Sequence, residues 1–397
     1  MLRKSLQVLF YVVALELTLG GGGRLTAIGP ISLRMVLFAA AIIATAIHLF
    51  KFKAQLPAFL ASLLWIYTGM MVLGISIGLI NNAPISYLWE DVKPLLYFFL
   101  LPFIYFSVSD SNALSTIFKC GAVAMAAAFV FILTLIHTGI IPFLSFYHTV
   151  LDTGEFFFRG EITFFYKGFL YMCIGLIFLL ENNGKKWQII LVLLAIILTV
   201  TRGFWMALLI SYGSYYIIFS NKKVRGAVLI VAAVLLLLYS QDLIGKVSKS
   251  LDRAPEPKPY LLGDRTHSDN DRVRTVKEVI EAADATSAFI GHGFGIGVPI
   301  RPVHMEISYL EIFHKQGFIG LIVWFLIFIN GYRKFVDVKN NTLAVPFFIS
   351  SAFVFIQSLS NQFINNPIGL FMIMMALTVF EKKIPRNDDA IFSSQHL

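Results

Sequence analysis

The sequence predicts an all-α polytopic membrane protein with about 12 transmembrane helices and one large helical loop on the outer side. Composition is the first observation behind that class: of 397 residues, 57% are hydrophobic and only 14% charged. A soluble globular chain carries about a quarter charged residues, so this one lacks the polar surface to cover itself. The second is the recurrence of apolar stretches near the length of about 20 residues that crosses a bilayer as a helix. The third is the position of the basic residues, which gather in short loops between alternate stretches.

In chain order the candidate spans are 5–20, 27–49, 57–80, 94–108, 116–137, 162–180, 187–201, 203–220, 226–241, 307–331, 343–361 and 367–380. The first follows "MLRK", lacks a small-x-small cleavage site and is interrupted by Glu16, so it reads as a retained span and not a signal peptide. The stretches at 94 and 367 are short, as tilted or re-entrant segments are. Arg3 and Lys4, Lys51 and Lys53, Lys185 and Lys186, Lys222, Lys223 and Arg225, Arg333 and Lys334, and Lys382, Lys383 and Arg386 all fall in loops on one side. The positive-inside rule makes that side cytoplasmic, with both termini inside. The net charge of +9 is therefore mostly topology and gives no reason to invoke nucleic acid. Cys120 and Cys173 sit in different apolar stretches and read as packing residues, not a disulfide. No internal repeat of the kind found in many secondary transporters is visible.

This divides the chain into spans one to nine (1–241), an outer loop (242–306), and the last three spans with a short cytoplasmic tail (307–397). A smaller outer loop at 138–161 carries His148, Asp152, Glu155, Arg159 and Glu161. In the larger one, the proline-rich "DRAPEPKPYLLGD" reads as extended and "SDNDRVRTVKEVIEAADATSAFI" as an amphipathic helix. Ser268 and Asp271 resemble a capping box, and Val273, Val276, Val279, Ile280 and Ala283 recur at helical spacing. Projected at about 100° per residue, Arg272 falls beside that stripe, where it needs a partner, and Arg274 falls opposite it, toward water.

Gly291, Gly293, Gly295 and Gly297 then alternate in "GHGFGIGVPIRPVHMEISYLEIFHKQGFIG". They do not form G-x-G-x-x-G, no Lys-Ser/Thr follows, and no strand precedes them, so a nucleotide site is not indicated. The run reads as a flexible turn whose N–H groups are still open to an anion. "DND" at 269–271 imitates the Asp-x-Asp of metal-dependent glycosyltransferases, but its place before the helix favours a cap. His267, His292 and His304 lack metal-site spacing.

Arginine is the informative excess on the outer side. Arg202 lies in the turn "TVTRGFWMALL" between two spans, where a charge is either functional or snorkels to headgroups. Arg159, Arg265, Arg272, Arg274 and Arg301 share its side, none obviously paired. Arginine's planar fork suits phosphate, so the group points to an anionic, lipid-linked ligand such as a diphosphate. Glu306 heads the next span above Tyr309, Leu310 and Phe313; it is a candidate base, or a favourable charge at a helix N-terminus. Gly317 and Gly320 read as a helix-packing pair.

The order of "TRGFW", an arginine-led outer helix, "FIGHGFG" and "EISYLEIFHKQGFIGL" resembles the O-antigen polymerase and ligase superfamily of bacterial membrane proteins, over residues 195–325. The resemblance implies a glycosyltransferase at the periplasmic face of the inner membrane. Its donor would be an undecaprenyl-diphosphate-linked oligosaccharide, with no metal or cofactor. A flippase and chain-length regulators are implied partners, besides membrane lipids. It maps the family's turn arginine onto Arg202 and its outer-helix arginine onto Arg272. On this reading Arg265, Arg274 and Arg301 are expected as further diphosphate ligands, Glu306 or else His304 as the proton acceptor, and Arg159, Tyr309 and Tyr260 as sugar or lipid contacts. The ligases' His-Asn pair, eleven residues before the first glycine of the closing motif, is here Glu306-Ile307. That departure favours a polymerase over a ligase. A flippase is the rival from another class, but it needs neither the long outer loop nor charges gathered at one surface.

Overall fold

The computed structural model describes residues 2–25, 27–28, 31–109, 111–151, 153–159, 162–220, 222–235, 265–341 and 343–383. Tyr260 lies outside these residues, as do the side chains of Arg159, Arg265 and His267. The chain forms two compact units: Met1–Leu17, Ile28–Ser111 and Ser268–Leu397 make the first, Thr18–Ala27 and Asn112–His267 the second.

The first unit contains helices α1 (Leu2–Leu19, through Leu17), α2 (Leu33–Phe52), α3 (Ala58–Ile80), α4 (Ile85–Leu95) and, after a 3₁₀ turn at Leu96–Leu100, α5 (Leu101–Ser107). From the far end of the chain it takes α12 (Arg265–Ala282, from Ser268), α13 (Ala285–Ile290), α14 (Ser308–Val338), α15 (Ala344–Gln357) and α16 (Pro367–Lys382). A helix apolar on every side belongs in a core, and α16 is buried from Pro367 to Phe380. Pro367 opens it at a position needing no N–H, and the Asn366 side chain accepts from Ile368 N at 3.3 Å. Phe10 packs its ring against Phe103 and Phe371. Tyr67 sits 4.2 Å from Phe98 and edge-on to Trp324, and its hydroxyl donates to Leu95 O. Glu16, the acid that breaks the first apolar stretch, meets Arg34 of α2 at 2.9 Å, both buried. A charge in such a place is tolerable only when paired.

The second unit holds most of α6 (Ser111–His137), α7 (Phe143–Leu151), α8 (Leu170–Glu181), α9 (Lys186–Leu198), α10 (Arg202–Phe219) and α11 (223–235). Here the all-α expectation needs correcting. Among the described residues two short strand pairs occur: β1 (Ala27–Ile28) with β2 (Ile31–Ser32), and β3 (Phe156–Arg159) with β4 (Thr163–Tyr166). In β3–β4, Phe156 faces Tyr166, Phe157 faces Phe165 and Phe158 faces Phe164. Such cross-strand aromatic pairs favour sheet over helix, so the stretch expected to span from 162 is α-helical only from Leu170, after a 3₁₀ turn at Lys167–Phe169. Cys120 and Cys173 are free thiols.

Each of the twelve apolar stretches contains helix. Among the described residues, four helical segments are long and apolar enough to cross a bilayer: Leu33–Phe52, Ala58–Ile80, Asn112–His137 and Ser308–Val338. Lys186–Leu198 and Ala344–Gln357 are shorter apolar helices.

Candidate active site

Helix α12 begins at Arg265, so Ser268 and Asp271 lie inside it and form no capping box. Its packed face is also rotated from the valine stripe: Val273 and Ile280 are exposed, while Thr275 and Val279 are buried. Val279 packs with Val298 and Met305, backed by Ile300, Leu310 and Phe313. That contact lays α12 along the loop leading into α14. It also sets Arg272 toward the loop and Arg274 toward water, as the helical projection expects.

Arg272 and Arg301 share one carboxylate. Arg272 Nε lies 2.7 Å from Glu306 Oε2, and Arg301 Nη2 lies 2.7 Å from Glu306 Oε1. Asp271 Oδ2 stands 3.6 Å from the same Arg301 nitrogen. The side chains are 36%, 32% and 32% exposed for Arg272, Arg301 and Glu306, so the cluster is open to solvent on one side. Arg301 is presented by a tight turn in which Val298 N and Arg301 N each donate to the other's carbonyl, at 3.1 and 2.8 Å. Glu278 fastens that turn to α12 by accepting from Ile300 N at 3.0 Å, and Arg274 Nε lies 3.0 Å from its other oxygen. Arg272, Arg274 and Arg301 are thus paired, against the expectation that they were not. Glu306 precedes the N-cap residue Ile307 and gives its oxygens to arginines instead of capping α14.

The glycine run is a fitted ribbon, not a flexible turn. Gly291, Gly293 and Gly295 have φ of 80°, 87° and 82°, a region costly for residues with a Cβ. A Cβ on Gly291 would strike the Lys315 carbonyl, and one on Gly293 the backbone of Ile77 and Gly78. Inside α14, Gly317 leaves helical geometry with φ 62° and ψ −161°. A break of this kind frees carbonyls one turn earlier, and the ribbon takes them: His292 N donates to His314 O at 2.9 Å and Gly293 N to Lys315 O at 3.0 Å. Phe294 N donates to Gly74 O, and Gly295 N to Asp91 Oδ2 at 2.7 Å. The N–H groups of residues 292–295 are therefore used within the protein and do not form an anion nest. Just upstream, α13 is capped by Asp284, whose carboxyl is held below its usual range by the Ser287 backbone N–H it accepts.

Beneath the ribbon lies a second ionic cluster. Lys315, 2% exposed, donates to Asp91 Oδ1 and Glu311 Oε1, each at 2.6 Å, and to Val303 O. Glu311 Oε2 accepts from Gln362 at 2.8 Å and Asn365 at 2.6 Å. Asn365 Oδ1 in turn accepts from Ser308. His304, 41% exposed, places Nδ1 3.6 Å from Asp91 Oδ1 and 3.6 Å from Glu311 Oε1. Ligand atoms of Asp91, His304 and Glu311 lie within 4.8 Å of one another, a spacing a cation can bridge. The Lys315 ammonium already bridges the two carboxylates, so these residues do not fit a metal ion. Sequence reasoning did not single out Asp91, Glu311 or Lys315. The available signal was Glu311 and Lys315 four apart in an apolar helix, a spacing that makes an ion pair.

The remaining expected residues fall as follows. Arg202 is half-buried at the first position of α10, behind Val200 at φ 52°. A β-branched residue at positive φ marks a strained turn. The Tyr309 hydroxyl donates to Phe355 O at 2.9 Å, tying α14 to α15 instead of facing a sugar path.

Apolar helices long enough to cross a bilayer, and a half-open arginine–carboxylate cluster beside a broken helix, define a multi-pass helical membrane protein with a candidate anion site. Residues 188–325 match the family model described as O-antigen ligase. Over 389 residues, 93% of each chain, the protein is 27% identical to an O-antigen polymerase of Shigella flexneri. Both matches make the chain similar to proteins of the O-antigen polymerase and ligase superfamily. The matched region takes in Arg202, Arg272, the glycine ribbon, Glu306 and Gly317.

Proposed function

We propose that this protein is a bacterial inner-membrane polysaccharide polymerase, a glycosyltransferase that joins undecaprenyl-diphosphate-linked repeat units at the periplasmic face. The observation that carries this reading is the sharing of Glu306 by Arg272 and Arg301. Two guanidinium groups converging on one carboxylate make a ready site for a diphosphate, which offers more oxygens and more charge to the same donors. At about one-third exposure, the ion pairs exchange partners without burying a charge. Glu306 holds the arginines in place until the donor arrives. Arg274 instead steadies Glu278 in this reading.

In the transfer, an acceptor sugar hydroxyl attacks the anomeric carbon of the donor. The new C–O bond forms as the bond to the phosphate oxygen breaks, and the electron pair leaves on the diphosphate. Arginines aimed at that oxygen stabilise the developing charge, as preorganised donors do. The hydroxyl's proton passes to a side chain of the same loop, which carries His304 and Glu306.

A glycan ladder from cells lacking the gene and complemented with variants tests the reading. Arg272→Ala is expected to leave material capped by a single repeat. Loss of all attached glycan would assign the protein as a ligase, the activity in the description of the matching family model. An unchanged ladder would remove Arg272 from the site.

A further inference from the structure

The buried cluster has a charge imbalance that its hydrogen bonds do not resolve. Asp91 and Glu311 bring two negative charges and Lys315 one positive, and all three are nearly sealed from water at 2%, 6% and 2% exposure. Among the described residues, the other titratable group paired with these carboxylates is His304, whose Nδ1 faces the same two oxygens that hold Lys315. An imidazole that gains a proton there balances the cluster; a neutral one leaves one negative charge uncompensated. Both carboxylates are held from behind: Asp91 Oδ2 by Gly295 N, and Glu311 Oε2 by Gln362 and Asn365. Their other oxygens are therefore fixed in place. With Nδ1 facing inward, Nε2 is the ring nitrogen left for a ligand, on a half-exposed side chain two residues from Glu306.

We propose that His304 accepts the acceptor hydroxyl's proton, and that Asp91, Glu311 and Lys315 are its positioning residues, orienting the ring and setting its charge. This rests on the polymerase reading and deepens it. The logic is that of a carboxylate behind a catalytic histidine, which fixes the tautomer and stabilises the imidazolium as it forms. At 3.6 Å, Nδ1 stands within ion-pair range of both carboxylates, and catalytic hydrogen bonds tighten when the reacting complex assembles. Glu306 has no comparable support behind it, because the partners of its oxygens are the arginines that the donor takes over. The proton moves from the attacking oxygen to Nε2 as the glycosidic bond forms, and later leaves to water. Lys315, bonded to both carboxylates, keeps them from carrying the full repulsion of two adjacent negative charges.

The test uses the full-length protein in lipid nanodiscs, with the single-repeat lipid-linked material that accumulates in cells lacking the gene as donor and acceptor. Chain extension is measured against pH. His304→Gln is expected to lower turnover by about 10²–10⁴-fold, with donor KM little changed, and to abolish the acid limb of the profile. Asp91→Asn removes a negative charge and is expected to move the acid limb to lower pH. Lys315→Met removes a positive charge and is expected to move it to higher pH. Opposite movement separates positioning from a merely structural role, which would lower activity in both variants without displacing the limb. His304 is 41% exposed and glutamine keeps a donor toward the carboxylates, so His304→Gln decides the assignment even where a variant of the buried pair does not fold. Retained turnover in His304→Gln, or unmoved limbs in folded Asp91→Asn and Lys315→Met, overturns the proposal. Failure of the unsubstituted protein to extend chains at any pH would instead overturn the polymerase reading.

Discussion

Two ionic clusters stand on the same loop-and-helix frame, and they are built in opposite ways. In one, two arginines share a single glutamate at about one-third exposure. In the other, two carboxylates share a single lysine with almost none. Exposed ion pairs contribute little to stability and exchange partners readily. Buried ones are costly to break, because the partner left behind keeps its charge out of water. The difference separates the roles: the open cluster suits a binding site whose internal carboxylate a ligand replaces, and the closed one suits a fixed support.

Lys315→Met puts the most strain on this contrast. Leaving Asp91 and Glu311 buried without their cation is expected to cost about 3–5 kcal/mol, read as a lowered unfolding midpoint in detergent; an unchanged midpoint would break the distinction. Gly293→Ala comes next. Its φ of 87° and the helix α3 backbone beside it leave no room for a methyl group, and a loss of about 1–3 kcal/mol is expected from the backbone strain alone. A neutral result would mean that the ribbon does not fasten α3 to α14. The smallest effect belongs to Arg274→Ala, which removes an exposed pair four residues apart and is expected to cost about 0.3–0.5 kcal/mol with a full glycan ladder. A ladder as short as that of Arg272→Ala would show that the two arginines are not distinguished by the faces they occupy.

Much of this was legible in the sequence because it is local. Apolar runs fix where helices form, and the 3.6-residue period alone sorts Arg272 from Arg274. The glycines were legible as special backbone, but their purpose was not. What they approach, the backbones of α3 and α14, comes from residues far along the chain. The same distance hid Asp91 from Lys315, 224 positions away, and even 18 positions hid Glu16 from Arg34. A charge's partner is set by packing, which leaves no periodic trace. For that reason Arg301 and Arg272 looked unpaired until the fold brought Glu306 between them. Hairpin β3–β4 was missed for a related reason: its run of phenylalanines is as apolar as a span, and only pairing across the turn distinguishes it.

The claim that Arg272 and Arg301 form the donor's diphosphate site is tested most directly by the affinity of the nanodisc-embedded protein for undecaprenyl diphosphate. Arg272→Ala is expected to weaken binding by about 10–100-fold, the loss of one charge-assisted hydrogen-bonding group. Glu306→Gln is expected to bind as tightly as the unsubstituted protein or more so, because the competing carboxylate is gone. Unchanged affinity in Arg272→Ala, or a Glu306→Gln protein that no longer binds, would contradict the account.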